Sequence, residues 1–194
     1  MGFLDSILGR SKPVQANLDS LFALPSAAIT LQTEAGLMPT GQAGVCFKPV
    51  MESTFESMQA EVSKVLGMLR DQHQIDIAEQ DDQLGYHWMV ITEPDIEGLV
   101  ANIHLVNSSL QEAGFGPQLL CSMFGFRSAP DQAHAQHAYL VYLFKRGTFY
   151  PFVPLGGEKR DNTLEIHLKG LLSKDLKVED DVTRWFPVWG APVS

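Results

Sequence analysis

The chain has 194 residues, of which 45% are hydrophobic, and this length fits one well-filled core better than two. The net charge of −9 argues against a nucleic acid partner, because a nonspecific grip on phosphates would have to overcome repulsion. No apolar run approaches the roughly 20 residues of a membrane-spanning helix, and the N-terminus has no secretory pattern. We therefore expect one domain over residues 1–194, in the cytoplasm.

The first 13 residues, MGFLDSILGRSKP, are predicted to form a short amphipathic segment that ends at Gly9 and Pro13. Its large apolar residues fall on one side of a two-turn helix: Phe3, Leu4, Ile7 and Leu8. Arg10 and Lys12 follow, so the segment could lie at a membrane surface, peripherally on the inner face. The more ordinary interpretation is that it packs on its own domain or on a second copy.

The next elements alternate between helix and strand. Residues 17–36 are predicted to be helical, with Pro25 in the first turn and Gly36 as the C-cap, and residues 42–49 form a strand. Ser53 and Glu56 form a capping box that opens a helix over 54–70.

A hairpin follows, in which the segment around Ile75 and Ile77 turns through 80–85 into a strand over 86–92. The next helix starts at Pro94 and Asp95 and ends at Gly114 and Gly116.

The C-terminal half contains mostly strands. Strands are predicted over 118–127, 138–145 and 148–153, with a polar, mobile loop over 128–136. A last helix covers 162–176, with Asn162 and Glu165 as a capping pair. Because the strands come in adjacent groups, we expect an α+β fold with a mostly antiparallel sheet and helices packed on it.

The chemically reactive side chains form no convincing catalytic or metal site. His134 and His137 have a His-x-x-His spacing on a polar loop, which is weak support for zinc. Cys46 and Cys121 lie in apolar runs and are expected to be reduced core residues rather than nucleophiles. We therefore predict no catalytic residue, metal or cofactor, and favour a protein that is not an enzyme.

Two carboxylate-rich segments and one glycine loop complete the candidates. Glu79, Asp81 and Asp82, and then residues 179–181, are more typical of solvated turns than of a cation site. Residues 156–160 could hold an anion before the last helix, but they match no phosphate-loop pattern.

Aromatic and basic residues near the C-terminus are candidates for an interaction surface. Most of the rings are expected in the core, but Trp beside Arg is also typical of protein interfaces. Besides the N-terminal segment, the predicted interaction residues are Lys145, Arg146, Trp185, Phe186 and Trp189.

Several long strings resemble the bacterial PspA-associated PspAB family: MGFLDSILGRSKP, FALPSAAITLQ, PTGQAGVCFKP, VNSSLQEAGFGPQLLCSMFGF, YLFKRGTFYPFVPL, RDNTLEIHLKGLL and RWFPVWGAP. The resemblance extends over nearly the whole chain and is weakest at 71–85 and 128–136. It implies an accessory or regulatory role in a PspA-like envelope-stress system, with a PspA-like helical protein as partner. It transfers no catalytic residue.

Two other functions stay open. One is an enzyme or small-ligand protein with a site near Gly156 or His134, which a deep polar pocket there would favour. The other is a chaperone-like homodimer that binds extended segments along an open sheet edge.

Overall fold

A computed structural model describes residues 17–48, 55–128 and 136–194 of the chain. The predicted N-terminal segment, the capping residue Ser53 and His134 lie outside the described residues. Within them, four α-helices and a six-stranded antiparallel sheet confirm the α+β prediction. The helices are α1 (Leu24–Ala35), α2 (Phe55–His73), α3 (Ile96–Leu110) and α4 (Asn162–Leu172).

The strands of the sheet are β1 (Leu37–Phe47), β2 (Ile77–Asp81), β3 (His87–Thr92), β4 (Leu119–Ser128), β5 (His137–Leu143) and β6 (Thr148–Phe152). Their spatial order is β2-β3-β1-β4-β5-β6, and each neighbouring pair is antiparallel. The predicted hairpin is the pair β2 and β3, and the predicted strands 118–127 and 148–153 are β4 and β6 within a residue or two.

The local signals for α1 and α3 are confirmed. Pro25 lies in the first turn of α1, and Gly36 ends it with a positive φ of 66°. A short 3-10 turn, Leu18–Ala23, precedes α1 within the region predicted to be helical. Asp95 caps α3 by accepting a hydrogen bond from the backbone N–H of Gly98 at 2.8 Å.

The predicted boundaries of β1 and α4 are wrong. β1 begins at Leu37 rather than residue 42, because its first residues pair with the end of β4 despite Pro39 and Gly41, and the register then shifts before Ala43. α4 ends at Leu172 rather than residue 176, since the chain continues in a turn in which the N–H of Leu176 still bonds to the carbonyl of Leu172.

The predicted capping of α4 is also wrong. Asp161, not Asn162, is the N-cap, and its carboxylate accepts from the N–H of Leu164 at 2.9 Å. Residues 154–160 form an additional small hairpin, β7 (Pro154–Leu155) with β8 (Lys159–Arg160), instead of an open glycine loop.

Both faces of the sheet are apolar, and two different layers cover them. Alternation along β1 sends Val45 and Phe47 into the main core and Cys46 to the opposite face. The helices contribute buried side chains to the main core, where α1 and α3 pack on β1 and α1 also packs on α4. The second face has its own cluster of buried residues, which includes Trp88, Met123, Val141 and Tyr150.

The C-terminal tail, residues 177–194, covers this second face. It begins as a parallel bridge beside β6, where Phe149 exchanges backbone hydrogen bonds with Lys177 and Glu179. It ends over β1 and β5, where the carbonyl of Val193 accepts from the Tyr139 hydroxyl at 3.1 Å. The contact is close: a Cβ on Gly44 would lie 2.8 Å from Cγ2 of Val193. A side chain at this position would have to shift the Val193 side chain or the Trp88 ring, so glycine suits the close approach.

Candidate functional site

A cavity of about 350 Å³ lies between the tail and the sheet. Its floor is formed by residues at one end of the strands, among them Cys46, Trp88, Cys121 and Leu143. The tail closes one side with residues 186–189, and the turn between β2 and β3 closes another with Asp82, Leu84 and Tyr86. The lining is therefore mostly apolar, at the size typical of small-ligand pockets.

Asp82 builds the turn side of the cavity. One oxygen of its carboxylate accepts from the N–H groups of Leu84 and Tyr86 at 2.8 and 2.9 Å, which closes the turn. The other oxygen accepts from Nε1 of Trp88 at 2.9 Å and fixes the indole on the floor. Leu84 is left at the rim with 68% of its surface exposed.

The tail side is held by hydrogen bonds from the sheet to the tail backbone. The hydroxyl of Tyr150 donates to the carbonyl of Phe186 at 2.8 Å, and Nη1 of Arg160 donates to that of Trp185 at 2.7 Å. Burial raises the pKa of the Tyr150 hydroxyl, so it stays a neutral donor. Phe186 itself is 60% exposed at the rim.

Cys46 and Cys121 are directly opposite each other on β1 and β4, and both line the cavity floor. Both thiols are free and buried, as the sequence predicts. The hydrogen bond with Cys121, followed by burial, raises the pKa of the Cys46 thiol far above its usual range. A thiol held protonated in this way is a poor nucleophile, so we assign Cys46 to the apolar lining of the floor.

The structure brings some of the predicted interaction residues to this cavity. Phe186 and Trp189 line it, whereas Trp185 is buried, stacked on Tyr150 with its ring centroid at 6.0 Å. Lys145 is exposed on the turn after Leu143, and Arg146 is paired with Glu179. The predicted residues Phe3, Leu4, Ile7 and Leu8 lie outside the described part of the chain.

Residues of the alternative sites have other roles. Arg160 forms a buried ion pair with Glu165, at 2.8 Å between Nε and Oε1, and Asp161 places a carboxylate at the start of α4. An anion there would meet that carboxylate, so the loop is poorly suited to bind one. His137 is exposed. Among the described residues, no group of three or more His, Cys, Asp or Glu side chains is placed to hold a metal ion.

Sequence reasoning missed the turn side of the cavity, residues 82–88, and the shared position of the two cysteines. One signal was present in the sequence. Strand alternation puts Cys46 and Cys121 on the face opposite Val45 and Phe124. Trp88 lies in the strand that follows the acidic turn, and it pairs with Cys46. The closing of the cavity by the tail had no comparable signal.

Fold and cavity together describe an α+β protein with an apolar cavity on the face of its sheet opposite the helices. The sequence profile described as PspAB, PspA associated protein B, matches residues 1–193, so the chain belongs to this family. The resemblance drawn from the sequence strings is thereby confirmed, and the family name indicates association with PspA. Comparison with curated proteins and with solved structures gave no match. Within the described residues, no helix has the length and apolarity needed to cross a membrane.

Proposed function

We propose that this protein is a non-enzymatic accessory of a PspA-like envelope-stress system and that it acts by binding a PspA-like protein at the cavity beneath its C-terminal tail. The observation that carries the proposal is the apolar rim of that cavity in a chain whose family is named for association with PspA. Leu84 and Phe186 stand on the turn side and the tail side, exposed by 68% and 60%.

The chemistry of the cavity supports an apolar occupant. Its main polar side-chain groups already have partners within the protein: Asp82 binds the turn and Trp88, and the Tyr150 hydroxyl binds the tail. A polar ligand would have to break these bonds, whereas an apolar side chain would gain from burial against the rim and floor. This apolar lining therefore suits an amphipathic helix that presents apolar side chains at regular spacing.

The chaperone-like alternative has less support from the sheet edges. The tail occupies the outer edge of β6 at Phe149, and Pro151 lies in the same strand. The opposite edge, β2, has five residues and carries Glu79 and Asp81, and short charged edges discourage strand addition. A small apolar ligand would suit the same lining, and the experiment below distinguishes it from a protein partner.

The test is a titration of the cognate PspA-like protein against Phe186→Asp. A charge at the rim should weaken binding about tenfold or more, which corresponds to about 1.4 kcal/mol. The matched control is Ile29→Asp, because Ile29 is 65% exposed on α1, on the other side of the sheet. The control should bind like the wild type. Equal affinities of Phe186→Asp and the wild type would contradict the proposal. If the cavity binds an apolar small molecule and the PspA-like protein does not bind, a small-ligand function replaces the proposed one.

A second variant separates the two candidate contacts. Leu4→Asp with Ile7→Asp changes the N-terminal segment and leaves the rim intact. If this double variant binds the PspA-like protein as tightly as the wild type does, the N-terminal segment is not part of the contact surface.

A further inference from the structure

Cys46 and Cys121 occupy the position that a disulfide between neighbouring strands requires. They are directly opposite each other in the antiparallel pair of β1 and β4. Opposite residues in such a pair have Cα atoms about 4.5–5.5 Å apart, which lies within the range of about 4.4–6.8 Å that most disulfides span. Both side chains belong to the buried cluster on the face opposite the helices, and a hydrogen bond joins the two thiols. The backbone therefore already holds the two sulfur atoms close together.

The ladder between β1 and β4 is irregular immediately beside this pair. One step along β1, from Cys46 to Phe47, corresponds to two steps along β4, because Leu120 is an extra residue there. A bulge of this kind interrupts the ladder and lets the strand bend locally. The pair can therefore adjust to the geometry of a disulfide without disturbing the regular ladder that precedes Cys46.

The cavity gives a small oxidant access to the pair. Both cysteines line its floor, although they are only 4% and 9% exposed. The space of about 350 Å³ above them accommodates a molecule of a few heavy atoms, such as hydrogen peroxide. Because the lining is mostly apolar and includes Asp82, a neutral oxidant enters more readily than an anionic one.

We propose that Cys46 and Cys121 are a site of reversible oxidation, at which hydrogen peroxide joins the two sulfur atoms in a disulfide between β1 and β4. This site goes beyond the proposed function and does not depend on it. The product suits the cavity, because a disulfide carries no charge and adds no polar group to the apolar floor.

The oxidation proceeds in two steps. The Cys121 thiol gives up its proton and its sulfur attacks one peroxide oxygen, so that the O–O bond breaks, a sulfenic acid forms and water leaves. The Cys46 sulfur then attacks the sulfenic sulfur, and its proton leaves with the hydroxyl group as a second water molecule. Two electrons thereby pass from the thiols to the peroxide. A dithiol reductant reverses the change by thiol–disulfide exchange, in which its own two thiols become a disulfide.

The roles of the two cysteines follow from their surroundings. Because the pKa of the Cys46 thiol is raised far above its usual range, Cys46 is the poorer nucleophile toward a diffusing oxidant, and Cys121 takes the first step. Cys46 acts in the second step, where its position directly opposite the sulfenic acid replaces a chance encounter by a contact that already exists.

Peptide mass spectrometry of the oxidised full-length protein tests the proposal. After peroxide treatment, the remaining thiols are blocked with N-ethylmaleimide in denaturant and the protein is digested without reduction. The expected product is one cross-linked pair of peptides, containing Cys46 and Cys121, which comes from the monomer and is separated by dithiothreitol. Absence of this pair, or disulfides only between two chains, would overturn the proposal.

Single alanine variants test the order of the two steps, since alanine keeps each buried position apolar. Dimedone, which labels sulfenic acids, should label Cys121 in Cys46→Ala about tenfold more than it labels Cys46 in Cys121→Ala. Equal labelling of the two variants would contradict the roles assigned to the cysteines.

Thermal unfolding gives an independent readout. The oxidised wild type should melt about 5–10 °C above the reduced protein, because a cross-link between positions 46 and 121 restricts the unfolded chain. Peroxide-treated Cys121→Ala is the matched control, since it contains the same methionines and should show no gain. An equal gain in this control would assign the effect to another oxidation and count against the disulfide. None of these measurements contains a partner protein, so their failure leaves the titration with Phe186→Asp unaffected.

Discussion

Glu179 joins the C-terminal tail to the edge of the sheet. Its buried carboxylate accepts from the guanidinium of Arg146, from the Thr148 hydroxyl at 3.0 Å and from the N–H of Asp181 at 3.3 Å. Its carbonyl accepts from Nε1 of Trp185 at 3.0 Å. The hydrogen bond with Arg146 is the largest cause that holds the pKa of Glu179 below its usual range.

Glu179→Gln should therefore destabilise the protein in a pH-dependent way. A carboxyl whose pKa is lowered on folding stabilises the fold fully above its unfolded pKa of about 4.3, and this contribution is lost as the pH falls through the folded value. At neutral pH we expect a loss of about 1–3 kcal/mol in the free energy of urea unfolding. Below the folded pKa the difference from wild type should shrink, because the wild-type carboxyl is protonated too.

The exposed helix residue Glu61 offers a matched control, since Glu61→Gln removes the same charge without buried partners. It should change little at either pH. A stability difference for Glu179→Gln that stays constant from neutral to acidic pH would show that the carboxylate's charge is not what holds the tail.

Residue types alone misjudge some positions because their partners are distant in sequence. Trp185 beside Arg184 is typical of an interface anchor, yet Trp185 is only 5% exposed. Its ring stacks on Tyr150, 35 positions away, and no local pattern encodes that contact. Phe186, with the same local signal, is the one that faces solvent.

At the scale of the element, the N-cap of α4 is Asp161, one residue before the Asn162 that the sequence predicts. Asp161→Ala should cost about 1 kcal/mol in the free energy of unfolding, because it leaves the N–H of Leu164 without its acceptor. Asn162→Ala, at the first helical position, should be neutral or slightly stabilising. Urea denaturation of the two variants is the measurement. A larger loss for Asn162→Ala would restore the capping role to Asn162.

Most elements were predictable because their signals are local. Periodicity gives α3 its buried stripe, and the turn over 80–85 gives the hairpin β2 and β3. Glu165 misled the capping assignment, since its spacing from Asn162 suits a capping pair while its carboxylate actually pairs with Arg160 and the N–H of Val153. The burial of Glu165 depends on the hairpin of β7 and β8, which carries Arg160. Strands of two residues are too short to be recognised from a sequence pattern.

At the scale of the whole molecule, the central feature is a sheet covered by helices on one face and by an extended tail on the other. Residues 177–194 have neither helical nor strand periodicity, so the sequence predicts no place for them. The strand order is equally nonlocal, because β1 must pair with β4, and their paired residues Phe47 and Leu119 are 72 positions apart. The cavity exists only where these nonlocal features meet, and that is why only Phe186 and Trp189 of its lining were selected as interaction residues.

Hydrogen exchange of the protein with and without its cognate PspA-like protein tests the central claim most directly. The account predicts slower exchange in the complex at residues 82–88 and 185–190, the turn and tail that border the cavity. Exchange in α1 and α4, on the other side of the sheet, should not change. Protection that falls on those helices while the turn and tail exchange as before would contradict binding at the cavity.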